Sequence, residues 1–231
     1  MNVKEMHYDF KKKLNKIDSE QYRNLLVPEI DWVLNEAQEL FIKLIAEPHS
    51  YSYLGFEKSQ RNTDDIRTLV QTSSLAVVNN VVTLPSDYMY FISAKVTMHN
   101  DKCGDRDATL YIRQHDDEFE NSVFDKSSFD WQVVNGVFEG DELILSSGTD
   151  FTNTYLDLTY IRRPRYICNP KDFNSNGYDL PGGRHLSVSQ DCELPEQTHR
   201  AIVDFAVQIA SGELETNGYQ IHSQKTKYEL Q

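Results

Sequence analysis

The stretch Ser74–Met98, SLAVVNNVVTLPSDYMYFISAKVTM, is where the hydrophobic period of the chain changes from near 3.6 to 2, and that change decides the fold. Leu75–Val78 and Val81–Leu84 are β-rich runs separated by Asn79-Asn80, two residues that tolerate positive φ and so suit a tight hairpin. Beyond them Tyr90, Ile92, Ala94, Val96 and Met98 alternate with Phe91, Ser93, Lys95, Thr97 and His99, which predicts a strand with one buried and one mostly wet face. Similar strands are predicted at Ala108–Arg113, Trp131–Glu139, Asp141–Ser146 and Thr154–Arg162, with an acidic, partly helical segment Asp116–Phe129 among them. Strands joined in series by short polar turns predict antiparallel pairing, because a parallel crossover needs about a dozen residues.

On the N-terminal side the period is helical. Val3, Met6, Phe10, Leu14 and Ile17 form one stripe of a first helix that ends near Asp18–Gln21. From Pro28 to Ala46, Ile30, Val33, Leu34, Ala37, Leu40, Phe41, Leu44 and Ile45 fill an apolar face, with Pro28 and Glu29 marking the start and Pro48 the stop. A third helix is predicted over Ser59–Gln71. On the C-terminal side, Pro164–Glu193 lacks periodicity and collects Pro, Gly, Asn and Ser, the composition of a long functional or covering loop. A last helix starts at Pro195, with Thr198, Ile202, Phe205, Ala206 and Ile209 facing one way, and Asn217-Gly218 reads as its stop. The expected fold is α+β, amphipathic helices packed together with an antiparallel β-sheet or sandwich domain. Its parts are N-terminal helices (1–74), a β domain (75–163), the loop (164–193), a helix rejoining the helical layer (194–218) and an arm (219–231).

Composition narrows function. Of 231 residues 23 are Lys or Arg and 36 Asp or Glu, a formal charge of −13, so the mean field repels nucleic-acid phosphates. No run approaches the roughly 18 apolar residues of a spanning helix, and Met1–Lys13 is too polar for a signal peptide. Cytosol-like conditions are therefore expected. Cys103, Cys168 and Cys192 are odd in number and far apart, as reduced structural thiols would be.

Catalytic motifs are missing from the sequence. It contains no Gly-x-Ser-x-Gly, His-Glu-x-x-His, Gly-Lys-Ser/Thr phosphate loop or Gly-x-Gly-x-x-Gly, and its 7 histidines are dispersed. Asp172–Gly177 fits the first half of a calcium loop, but its twelfth position is Gly183 where a bidentate glutamate is needed; Asp101–Asp107 fails at Arg106. No metal, cofactor or catalytic residue is expected. Asp64-Asp65 and Asp116-Asp117-Glu118 sit at or near helix starts, where negative charge is favoured. Arg162, Arg163 and Arg165 make the dense basic cluster of the chain, either solvated or internally paired, or a contact for a carboxylate-rich partner or a phosphate. Tyr219, Ile221, Tyr228 and Leu230 on the arm are the further interface candidates, since so few apolar groups offset the ordering cost only by docking on a neighbouring subunit or partner.

One order of motifs runs through the chain: Gln60-Arg61 with Asp64-Asp65, Leu84-Pro85 with Tyr88, Tyr160-Ile161-Arg162-Arg163-Pro164, and Leu194-Pro195-Glu196 with His199. This order, over Pro28–Gly218, resembles the head-to-tail connector (tail tubular or ring) proteins of short-tailed phages, most of all those of crAss-like phages. The resemblance implies a virion protein assembled in the host cytoplasm as a ring, twelve-fold in the family's usual form. It would sit below the portal protein and above further tail proteins, with DNA passing its lumen unbound and with no catalysis or cofactor. The loop 164–193 departs from the short connections of that family and reads as an arm to another virion protein. The competing reading is a β-sandwich carbohydrate-binding or adhesion module with Trp32 and Trp131 as stacking platforms; a dispersed-site enzyme is a third.

Overall fold

The computed structural model describes residues 1–15, 25–46, 64–113, 126–148 and 150–213. The chain divides into two compact units: a helical unit built from Met1–Leu69 with Pro164–Gln231, and a β unit, Val70–Arg163, inserted between those two stretches of sequence. The α+β class is thus observed.

In the helical unit, α1 spans Val3–Asn15, α2 Val27–Ala46 and α3 His199–Glu213, the last entered through a 3-10 turn, Glu196–Thr198. Local chemistry sets their starts. Asn2 Oδ1 accepts from Glu5 N while Glu5 Oε2 accepts from Asn2 N, a reciprocal capping box, and Glu29 Oε2 accepts from Leu26 N at the head of α2. Helix α3 packs on both others: Val3, Met6, Phe10 and Leu14 of α1 and Ile30, Val33, Leu34, Ala37, Phe41 and Ile42 of α2 are buried, as are Ile202, Val203, Phe205, Ala206, Val207 and Ala210 of α3. Phe41 and Phe205 meet edge to face at 6.3 Å. The buried stripe of α2 is rotated from the predicted one. Leu40 and Leu44 are exposed, whereas Asp31, Asn35, Gln38 and Ile42 are buried. The third predicted helix, Ser59–Gln71, lies outside the described residues up to position 63; from 64 a helical stretch at 64–66 passes through a 3-10 turn, Arg67–Leu69, directly into a strand at Val70, so it ends short of Gln71.

The β unit is one seven-stranded sheet of β1 (Val70–Ala76), β2 (Val81–Thr83), β3 (Tyr88–Asn100), β4 (Gly104–Ile112), β5 (Val133–Glu139), β6 (Glu142–Leu145) and β7 (Thr152–Arg162). Its order is β1-β7-β3-β4-β5-β6-β2, so the two edge strands are consecutive in sequence. They are joined by the Asn79-Asn80 turn, with both residues at positive φ (52° and 63°) and Val78 and Val81 exchanging backbone bonds of 3.0 and 2.9 Å. The turn is the tight hairpin turn expected, but its pairing stops at Val78 and Val81; beyond them the two runs part to the sheet's two edges, which must curl to meet there. Asn80 fastens the seam: its Nδ2 donates to Ser147 Oγ, its Oδ1 accepts from Asn153 Nδ2, and its carbonyl accepts from Leu145 N. Inside the curl Val82, Ala94, Val96, Met98, Leu110, Phe129, Val134, Leu143, Leu156, Leu158 and Tyr160 form the core.

Two details correct the sequence reading. Strand pairs are antiparallel except β4 with β5, which run parallel (Thr109↔Val133 to Ile112↔Gly136). The 20 residues from Arg113 to Gln132 exceed the dozen that a parallel crossover needs. In β3, register shifts at Tyr88/Tyr90 and Phe91/Ser93 reverse the alternation. Tyr88 and Phe91 pack against the core beside Phe138, while Ile92, predicted on the buried face, is 44% exposed. The segment Asp116–Phe129 lies outside the described residues as far as position 125.

Candidate functional site

Loop 164–193 belongs to the helical unit and is a closed structure, not a projecting one. Cys168 and Gln190 exchange backbone bonds of 3.1 and 2.9 Å across its neck, and a small hairpin, β8 (Tyr178–Asp179) with β9 (His185–Leu186), lies within it. Gly177 opens that hairpin at φ +84°, and a Cβ there would lie 1.9 Å from the Leu186 carbonyl oxygen, so only glycine fits.

What holds the loop is the polar stripe of α2. The Asn35 amide grips the backbone of Ile167 at both ends, Nδ2 donating to its carbonyl and Oδ1 accepting from its N–H, at 2.7 and 2.8 Å. One turn away, the fully buried Asp31 accepts from Asn169 N (3.0 Å) and Tyr178 Oη (2.5 Å), and His7 Nε2 of α1 lies 2.7 Å from its other oxygen. Burying a carboxylate is costly unless its oxygens are taken up, and here three groups, one from α1 and two from the loop, converge on one. Burial, with the hydrogen bond to Asp31 and its charge, holds the Tyr178 hydroxyl far above the ordinary tyrosine value. Tyr166 is pushed up to about 12 by burial and by the charge of Asp31. Both tyrosine hydroxyls therefore hold their protons, and the cluster is enclosed. It is a fastening between α1, α2 and the loop.

At the start of the calcium-like stretch, Asp172 is engaged by Lys4 Nζ (3.0 Å) and Asn169 Nδ2 (2.7 Å), which hold its carboxyl below the usual range. Lys13 bridges Asp9 and Asp204 at 2.9 and 2.8 Å. Burial pulls its pKa down, but the hydrogen bonds to Asp204 and Asp9 and their charges outweigh that and raise it. Among the described residues no group of three or more His, Cys, Asp or Glu could hold a metal ion.

The basic cluster is divided. Arg162 and Arg163 end the β unit, where Arg162 Nη1 donates to the Arg163 carbonyl (3.3 Å) and Arg163 N donates to Asp87 O (2.7 Å). Arg165 belongs to the helical unit and pairs with Glu193, Nε to Oε1 at 3.2 Å, while its backbone N–H donates to Oε2 at 2.9 Å. For Arg165 the arrangement is internal pairing. Tyr219, Ile221, Tyr228 and Leu230 lie outside the described residues.

The surfaces that stand out are apolar. On the helical unit a groove of about 370 Å³ runs between α2 and the β8–β9 hairpin, lined by Pro28, Trp32, Val33, Leu180, Pro181 and Ala210. Trp32 is 50% exposed. On the β unit Trp131 is 83% exposed, next to Gln132 at φ 54°. The signal for Trp32 was present in the sequence: it shares a helix face with Glu36, Glu39 and Lys43, and a tryptophan on a charged face is placed for something other than the core. Among the described residues no helix is long and apolar enough to cross a membrane. Compared with known proteins, the chain matches no family model and no curated protein.

Proposed function

We propose that the chain is a structural subunit that assembles head to tail into a ring, as a connector between phage head and tail that continues the DNA channel below the portal. The observation that carries this reading is the pair of unlike apolar surfaces, the Trp32 groove on one unit and the exposed Trp131 on the other. A ring needs heterologous contacts, in which each copy offers two different surfaces, and large aromatic side chains are the usual anchors of such contacts. The charge of −13 supports it as well, since a wall that does not neutralise phosphates does not retain passing DNA. Gln60-Arg61 lies outside the described residues, and the other three motif groups cited for the family fall on element boundaries: Tyr88 N donates to Pro85 O at the head of β3, Tyr160 Oη donates to Asp87 at the end of β7, and Pro195 precedes the turn into α3.

Mass photometry and negative-stain imaging of the purified chain, alone and mixed with the portal protein of the same genome, test the proposal. Ring-sized particles seated on the portal are expected. A strict monomer that ignores the portal and binds glycans through Trp131 would instead favour the carbohydrate-binding or adhesion module.

A further inference from the structure

The most exposed large hydrophobic side chain among the described residues is Trp131, at 83%. The turn that carries it is braced. Ser128 and Val133 exchange backbone bonds of 2.9 and 3.2 Å across its neck, and Trp131 N donates to Ser128 Oγ at 3.4 Å. Gln132 takes a φ of 54°, uncommon for a residue other than glycine. Phe129 pins the same turn into the β core beside Phe151, with the Arg106 guanidinium 4.8 Å from its ring centre. One aromatic of the turn is thus buried, and the next, two residues on, is held out in solvent. A tryptophan presented on a fixed backbone loses little freedom on docking, the property of an interface anchor.

The groove on the helical unit has the chemistry to receive an indole. An indole is a flat apolar body with one N–H donor and no acceptor, and when buried it needs an acceptor for that proton. Trp32, Val33, Leu180 and Pro181 supply apolar walls and an aromatic face, and Glu29 and Asp179 place carboxylates among the lining residues. The volume of about 370 Å³ sits at the low end of the roughly 300–1,000 Å³ of small-molecule sites, room for one large side chain and not for a helix. Charge is complementary as well. The groove is lined by no Lys or Arg, whereas the Trp131 turn has Arg106 stacked on it and Lys126 leading into it, against the single acid Asp130.

We propose that the groove's occupant is a second copy of this chain: Trp131 of one copy seats beside Trp32 of the next, with its indole N–H toward the carboxylates of Glu29 and Asp179. The inference rests on the ring reading, which leaves open what meets what, and names the contact. One anchor buries about 150–250 Å² of side chain, far below the roughly 1,200 Å² of a stable pair, so the single contact is weak and assembly draws on two per copy.

Two substitutions at exposed positions test it. Trp131→Ser removes the anchor and keeps the groove; Trp32→Glu blocks the groove and keeps the anchor, with Pro181→Glu as a second groove variant. By sedimentation each variant alone is expected to stay monomeric where the unchanged chain assembles. An anchorless and a groove-blocked chain mixed in equal amounts are expected to form a one-to-one pair that grows no further, because only one groove and one anchor remain competent. Changing the anchor of the groove-blocked chain to phenylalanine, Trp131→Phe, keeps an aromatic ring but loses the N–H, and is expected to weaken the pair roughly tenfold. Absence of a pair at several hundred micromolar protein with both groove variants would overturn the proposal, as would assembly of the anchorless chain alone. Rings formed by unchanged and anchorless chains alike would keep the ring reading and remove this contact. A one-to-one pair without rings from the unchanged chain would keep the contact and remove the ring.

Discussion

Replacing Asp31 by alanine tests the fastening most directly. The substitution removes the acceptor of Tyr178 Oη and Asn169 N and the partner of His7 Nε2, three buried groups that water does not reach. A buried donor left unpaired costs about 1–3 kcal/mol, so three cost up to about 9 kcal/mol. Two effects reduce that figure: the carboxylate's own burial penalty disappears, and the vacated space lets side chains relax. The expected loss is about 3–5 kcal/mol, the range for breaking a buried pair. At about 2–4 °C per kcal/mol this lowers the melting midpoint by roughly 10 °C. Urea unfolding of a Trp131→Phe chain, followed by Trp32, reads the helical unit. A double-mutant cycle with Tyr178→Phe identifies the cause. Once the hydroxyl is gone there is one stranded donor fewer, so the two losses should fall short of additive by about 1–2 kcal/mol. A loss below about 1 kcal/mol, or strict additivity with Tyr178→Phe, would refute the reasoning.

Other outcomes follow from the seam, the surface histidines and the thiols. Asn80→Ala should cost about 1–2 kcal/mol, from the strain at φ 63° and the lost bonds to Ser147 and Asn153. Asn80→Gly should recover only the strain part; equal losses for the two, by chemical denaturation, would show that the turn conformation is not limiting. His99, hydrogen-bonded to Asp105 and near Asp101, is raised above its ordinary 6.5, as is His185 through its bond to Asp179. Their stabilisation is therefore complete below pH 6.5 and lost as pH rises through the raised folded values. An NMR titration should show both, with Asp105→Asn returning His99 alone toward 6.5. Cys103 is exposed, whereas burial raises Cys168 and pushes Cys192 up to about 11. A thiol reagent should give one fast reaction, abolished by Cys103→Ser, with the other two appearing only on unfolding.

The helices and most strands were legible because their apolar residues repeat at the period of the element: Val3, Met6, Phe10 and Leu14 are buried as spacing requires. The errors lie where a polar side chain or one extra residue overrides that period. Asp31 and Asn35 look like solvated positions in the sequence, yet they are the most consequential residues of α2, because their partners Ile167, Asn169 and Tyr178 come more than a hundred residues later. The clue was their spacing: 31, 35, 38 and 42 form a helical stripe that ends in isoleucine. The bulges in β3 carry no composition signal, so the exposure of Ile92 was invisible. Asn79-Asn80 announced a turn but not which strands it would join, since pairing partners are set by the whole sheet. The groove was half legible, in a tryptophan on a charged helix face and in a loop rich in proline and glycine.

The insertion of the β unit into the helical unit has a consequence for synthesis. Residues 70–163 are contiguous and can close as soon as β7 leaves the ribosome. Helices α1 and α2 emerge first but are completed last: Asp31 meets Asn169 and Tyr178 across separations of 138 and 147 residues, roughly 7–30 s of translation. Throughout that interval α2 presents an apolar stripe with a carboxylate and an amide set into it. Any surface that covers the stripe without also offering an acceptor-hungry N–H and hydroxyl must bury the Asp31 oxygen that Asn169 and Tyr178 later engage without a donor, even where His7 already holds the other oxygen, and a buried carboxylate left short of partners is costly. On this energetic ground the residue that later locks the loop in place is expected to disfavour packing of the nascent helix against a wrong neighbour while it waits for the right one.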